Sequence, residues 1–136
     1  MIDTKTLAIG FNAISKKMSE KRMYLISLDQ QTGDGDLGIS MDNGFKAVSD
    51  VCCVNANTSD IGKLLFLAGK SFNEAAPSSL GTIISMLLID AAKQLKGAEK
   101  TTLADFGNIM HKSMNAIMEK LDSRLGEKTF FDSVVP

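Results

Sequence analysis

Leu28-Asp29-Gln30-Gln31-Thr32-Gly33-Asp34-Gly35-Asp36-Leu37-Gly38 places three aspartates and three glycines within eleven residues. Glycine and aspartate at this density interrupt a helix and make a loop. The residues on either side read as helices. Upstream, Leu7, Phe11, Ile14, Met18 and Leu25 recur at helical spacing and Asp3 stands where a cap belongs, which predicts one helix from about Thr4 to Ser27. Downstream, Met41, Phe45 and Val48 share one face of a helix expected from about Ile39 to Val54. The quoted stretch is therefore a helix-to-helix connection with an unusual concentration of negative charge.

The rest of the chain continues the helical pattern. Asn55 to Ser59 is a polar link, and a third helix begins near Asp60 with Ile61, Leu64, Leu65 and Ala68. Pro77-Ser78-Ser79 breaks the pattern and offers caps for a fourth helix, about Leu80 to Leu95, which is apolar on most sides. A helix of that kind is expected at the centre of a bundle. Gly97 ends it, and Thr102 with Asp105 forms a capping pair for a fifth helix that Gly126 stops. Glu127 to Pro136 reads as a loop entering another helix. No period-2 run persists, so strands are not expected. Residues 1–136 are read as one all-α domain, an antiparallel up-and-down bundle of five amphipathic helices. A chain of this length buries roughly two-thirds of its unfolded surface, which is enough for a sizeable core.

Charge and composition exclude some partners. The net charge is −1 and no basic run marks a face, which argues against nucleic acid. The longest apolar stretch, Ile83 to Ala92, carries Ser85 and Asp90 and falls short of the roughly 20 apolar residues that a membrane span needs. No apolar signal segment follows Asp3, and the two cysteines, Cys52 and Cys53, are adjacent, so a reducing cytoplasm is the expected location.

Three carboxylates on one short loop repel one another unless a cation lies between them. Magnesium suits such a donor set, because it takes oxygen ligands and shares its shell with water and phosphate. Gly33, Gly35 and Gly38 offer positive backbone φ and close approach to a phosphate. The helix that follows directs its free N–H groups and positive dipole end to the same point. The plainer alternative is a solvated acidic turn that caps the next helix. A calcium-binding EF-hand loop starting at Asp34 fails, because its twelfth position, where a carboxylate is required, is Phe45.

The stretch Leu28 to Gly38, followed by Met41, Asn43, Gly44 and Phe45, resembles the metal loop of the L subunit of dihydroxyacetone kinase, its nucleotide-binding subunit. Leu80-Gly81-Thr82 with the apolar helix ending in Ala91-Ala92 is similar to the family's second phosphate-contacting segment. Gly126-Glu127-Lys128-Thr129-Phe130-Phe131-Asp132 with Pro136 resembles its Gly-Asp-Lys-Thr segment. The resemblance implies a helical bundle or barrel with the nucleotide at one end. It implies Asp29, Asp34 and Asp36 as ligands of two magnesium ions that clamp the phosphates of ADP or ATP. It implies nucleotide contacts at Gly38, Ser40, Met41, Ser78, Ser79, Gly81, Thr82, Thr129 and Phe130. It also implies a partner subunit that holds dihydroxyacetone, in some members a phosphocarrier protein, and a homodimer as a further assembly. The family continues with further helices and an arginine-bearing lid, which residues 1–136 are expected to lack. Leu37 stands where the family often has histidine, and Asn73-Glu74-Ala75-Ala76-Pro77-Ser78-Ser79 replaces its glycine- and serine-rich turn.

His111, the one histidine, has no evident partner and reads as a surface or boundary residue rather than a phosphoryl relay. The cysteines and eight methionines read as packing residues. The functional expectation is a magnesium- and nucleotide-binding kinase subunit serving phosphoryl transfer to a small hydroxy-ketone. Its alternatives are a non-catalytic nucleotide-binding or regulatory paralogue and a purely structural bundle.

Overall fold

The structure, a computed structural model, describes the backbone of residues 1–30 and 36–125 and the side chains of 1–28 and 38–121. Six helices follow one another among these residues: α1 (Thr4–Glu20), α2 (Arg22–Gln30), α3 (Asp36–Val54), α4 (Ile61–Ala75), α5 (Ser79–Gln94) and α6 (Leu103–Leu125). The chain is all-helical, and the one extended pairing among the described residues is an isolated bridge between Ile2 and Thr101.

The caps explain most of the boundaries. Asp3 accepts from the Thr6 amide at 2.8 Å and starts α1. Asp60 caps α4 through Lys63 and also accepts from the Gly97 amide at 2.9 Å, so one carboxylate ties the start of α4 to the turn after α5. Gly97 makes that turn with φ +83°, a conformation that suits glycine. Thr102 accepts from the Asp105 amide at 3.0 Å and starts α6, as the capping pair predicts.

One boundary differs from expectation. The first helical pattern is two helices, separated at Lys21, whose amide donates to the carbonyls of Lys17 and Ser19. No proline or glycine lies near the break. Its cause is tertiary: Ser19 and Arg22, on either side of it, both bond Asp42 of α3. The bundle consequently has six helices in the described residues rather than five.

From α2 onward each helix packs against the next, while α1 packs against α3 rather than α2. Gly62 faces Ala92 and Lys96 while Gly69 faces Ser85 and Leu88, so α4 and α5 run in opposite directions along their length. Gly44 of α3 faces Phe72 of α4, where an added Cβ would come within 2.4 Å of the ring. The missing side chain lets Phe72 sit fully buried and edge-on to Phe45, with ring centroids 5.1 Å apart.

The core is centred on α4 rather than on α5. Ile61, Leu64, Leu65, Ala68 and Phe72 are fully buried, whereas Ile83, Ile84, Met86, Leu87 and Ile89 of α5 remain half-buried. The apolar surplus of α5 lines a cavity of about 330 Å³ with Leu7, Phe11 and Ile14 of α1, Phe45, and Phe106 and Met110 of α6. The N-terminus is fastened at the end of the bundle where α3 and α5 finish. Ile2 and Thr101 exchange backbone hydrogen bonds of 2.7 and 2.9 Å, and the Thr4 hydroxyl donates to the Thr58 carbonyl at 2.7 Å.

Candidate functional site

At the opposite end, the C-termini of α2 and α4 meet the N-termini of α3 and α5. Gly38, in the first turn of α3, is buried against α2. A Cβ there would lie 2.6 Å from the Arg22 carbonyl oxygen and 2.8 Å from the Ile26 side chain. This glycine therefore serves helix-to-helix approach. Among the described residues, the one glycine with positive φ is Gly97, so the expectation that Gly38 supplies such a conformation is corrected. The correction follows from α3 beginning at Asp36, upstream of the expected Ile39.

Ser78 caps α5 and accepts from the Gly81 amide at 3.0 Å. Gly81 is buried in the first turn of α5 against the end of α4, where an added Cβ would fall 1.9 Å from the Ala76 carbonyl oxygen. The Ser40 hydroxyl lies 3.1 Å from that of Ser78. This contact joins the first turns of α3 and the cap of α5 across 38 positions of sequence. The starts of α3 and α5, each the positive dipole end of its helix, therefore lie side by side. Ser79 is exposed beside them, and the Thr82 hydroxyl donates back to the Ser78 carbonyl at 2.9 Å. Met41 is half-buried and packs on the core.

The backbone places Asp29 in the last turn of α2 and Asp36 at the first position of α3, at this same end. Their side chains, and the whole of Asp34, Thr129 and Phe130, lie outside the described residues. Among the described residues no group of three metal-ligating side chains comes together. Glu74, in the last turn of α4, is exposed next to the Pro77 turn. His111 is exposed on α6 and lines an open groove with Leu95, Thr101, Asp105, Asn108 and Lys112, near the C-terminal end of α5 and away from Ser78. Cys52 is buried and its thiol is pushed up to about 12 by burial and by the neighbouring Cys53, which fits a packing role.

Sequence reasoning missed Asp42. It is 4% exposed, receives the Ser19 hydroxyl at 2.5 Å, and pairs with the Arg22 guanidinium at 2.9 Å. The Ser19 hydroxyl foremost, and then Arg22, hold its carboxyl below the ordinary carboxylate value against the opposing effect of burial. The signal was present in the sequence: Asp42 falls on the same helical stripe as Gly38, Phe45, Ser49 and Cys52. A charge on a core-facing stripe calls for a partner.

The molecule is thus a helical bundle that brings two serine hydroxyls and the starts of α3 and α5 together at one end. A family model described as the DAK2 domain matches residues 31–136, and the chain belongs to that family. The chain is 26% identical over 118 residues to the protein of Escherichia coli (strain K12) named PEP-dependent dihydroxyacetone kinase, ADP-binding subunit DhaL. That alignment covers 87% of this chain and 56% of the relative. It is 24% identical over 120 residues to the ADP-binding subunit DhaL of PEP-dependent dihydroxyacetone kinase 2 of Listeria innocua serovar 6a, covering 88% and 56%. The chain spans about half the length of the curated relatives it matches. No solved structure matches it. Among the described residues no helix is long and apolar enough to cross a membrane.

Proposed function

We propose that this chain is the nucleotide-binding helical part of a kinase acting on dihydroxyacetone or a similar small hydroxy-ketone. In this reading it binds ADP or ATP with magnesium and serves phosphoryl transfer to a substrate held on a partner subunit. The observation that carries the reading is the contact between Ser40 and Ser78, which brings two segments expected to touch phosphate to one place. Its support from relatives is that two matched proteins bear the name of ADP-binding subunits.

Asp29, Asp34 and Asp36 fit magnesium by the chemistry of the donor set, since hard carboxylate oxygens are its preferred protein ligands. Two bound ions would neutralise phosphate charge, which together with positioning is most of what phosphoryl transfer requires. The chain's own residues do the rest. The amides at the starts of α3 and α5 orient phosphate oxygens, and the hydroxyls of Ser40, Ser78, Ser79 and Thr82 supply further hydrogen bonds. Gly38 and Gly81 keep their helices close, and Met41, Thr129 and Phe130 complete the surroundings of the nucleotide.

Calorimetric titration of ADP into the purified chain, with magnesium and then with chelator, tests this reading. Uptake only with magnesium supports it, and the pair Asp34→Asn with Asp36→Asn is expected to abolish that uptake. No uptake in either condition sinks it. If the double replacement changes only stability, the chain is a structural bundle. The exposed Glu74 beside the Pro77 turn brings negative charge close to the phosphate end and favours a second reading, a nucleotide-binding regulatory paralogue without turnover. Turnover assayed with the dihydroxyacetone-binding subunit and a phosphocarrier or ATP as donor separates the two.

A further inference from the structure

The break between α1 and α2 is made by one residue of α3. Ser19, in the last turn of α1, and Arg22, the first residue of α2, both bond the buried carboxylate of Asp42. A carboxylate taken out of water is tolerated only with such partners, so the two donors and the acceptor are mutually obligatory. Asp42 therefore fixes the direction in which α2 leaves α1.

α2 has little else to hold it. None of residues 22–28 is buried, and Met23, Tyr24 and Leu28 are exposed. Its remaining anchor is the close approach of Gly38 to Arg22 and Ile26. Yet α2 ends on the turn that contains Asp29, and α3 starts at Asp36, six residues before Asp42. Two of the three loop aspartates thus hang on a helix pair whose geometry depends on one polar cluster.

We propose that Asp42 is a positioning residue for the magnesium loop: through Ser19 and Arg22 it sets the spacing of the α2 and α3 ends that carry Asp29 and Asp36, and thereby the affinity for magnesium with nucleotide. This inference rests on the function proposed above. Groups that orient metal ligands without touching the metal typically change metal affinity by about 10- to 100-fold when removed. Ser19 and Asp42 act here on the helices that bear the ligands, and the expected effect lies at the lower end of that range.

The test titrates magnesium at fixed ADP into the full chain and reads the magnesium concentration for half-maximal binding. Asp42→Asn keeps an acceptor for Ser19 but removes the ion pair, and Ser19→Ala keeps the ion pair but removes the other donor. Each is expected to raise the magnesium midpoint, by about tenfold for Asp42→Asn. Ile61→Val, which weakens the α4 core away from the cluster, is expected to leave it unchanged. Amide hydrogen exchange gives a readout independent of nucleotide: Asp42→Asn speeds exchange in α2 and the first turns of α3 while α4 and α5 keep their protection. A parent chain that takes up no ADP with magnesium overturns the proposed function and this inference with it. A parent that binds, with both variants showing the parent's midpoint, overturns this inference alone. Exchange that accelerates equally in α4 and α5 also overturns it, because Asp42 would then be a general stabiliser.

Discussion

The α4–α5 pair and the α2–α3 pair are both antiparallel, but they are held by different physics. The first is closed by apolar burial. Leu64, Leu65, Ala68 and Ala91 are fully buried, and Gly62 and Gly69 bring the two backbones together. Among the described residues, the hydrogen bond between the two helices themselves is that of the Ser85 hydroxyl to the Gly69 carbonyl, at 2.7 Å. The second pair has no fully buried apolar side chain on α2 and relies on the Asp42 cluster. Apolar burial is non-directional and provides stability, whereas a charge with two hydrogen-bonding partners provides direction with little net stability. The candidate site draws on both: Asp29, Asp36 and Ser40 belong to the directed pair, and Ser78 and Gly81 to the strong one. Its acidic half comes from the less stable part of the fold, as binding segments generally do.

The contrast can be broken first at its strong side. Leu65→Ala in α4 is expected to cost about 2–5 kcal/mol, measured by urea unfolding. Ile26→Ala in the half-buried α2 should cost less than half as much; equal costs would remove the distinction. Next in size is Gly44→Ala, whose new methyl group would meet the Phe72 ring, for an expected loss of about 1–3 kcal/mol. Phe72→Leu in the same background should recover part of that loss, so a double-mutant cycle without coupling would refute the contact. Ser78→Ala removes the cap of α5 and should cost about 1 kcal/mol. It also removes the hydroxyl partner of Ser40, so ADP uptake with magnesium should weaken in the same variant.

The smallest effect is an acid one. The carboxyl of Asp42 is held below its ordinary value in the folded chain, so the unfolded chain binds the proton more readily. Its contribution is present above the unfolded carboxylate pKa of about 3.9 and is lost as pH falls through the lower folded value. Stability of the parent should therefore decline more steeply below about pH 4 than that of Asp42→Asn. Parallel declines in pH-dependent unfolding would mean that the cluster is not ionised as described.

Local signals made most of the helices legible in the sequence. Asp60, Ser78 and Thr102 are caps whose bonds lie within three residues, so α4, α5 and α6 began where their sequences indicate. The break at Lys21 was not legible, because it is made by Asp42, twenty or more positions away. Periodicity alone also put α5 at the centre, since it counts apolar residues without knowing that part of the α5 surface faces a cavity. At the candidate site, residue types pointed to Ser40, Ser78 and Gly81, but only the fold brings the two serines together. The same fold gives Gly38 a packing role that its place after an acidic loop concealed.

The fastening of the N-terminus has a consequence in time. Ile2 pairs with Thr101, and Thr4 with Thr58, so the first residues of the chain find their partners only after most of it exists. Contacts that close such long loops form late, while neighbouring helices dock early. During synthesis, or in refolding followed by pulsed hydrogen exchange, the α4–α5 hairpin should gain protection first. The residues ahead of α1 should then join last, sealing the end of the bundle opposite the Ser40–Ser78 contact.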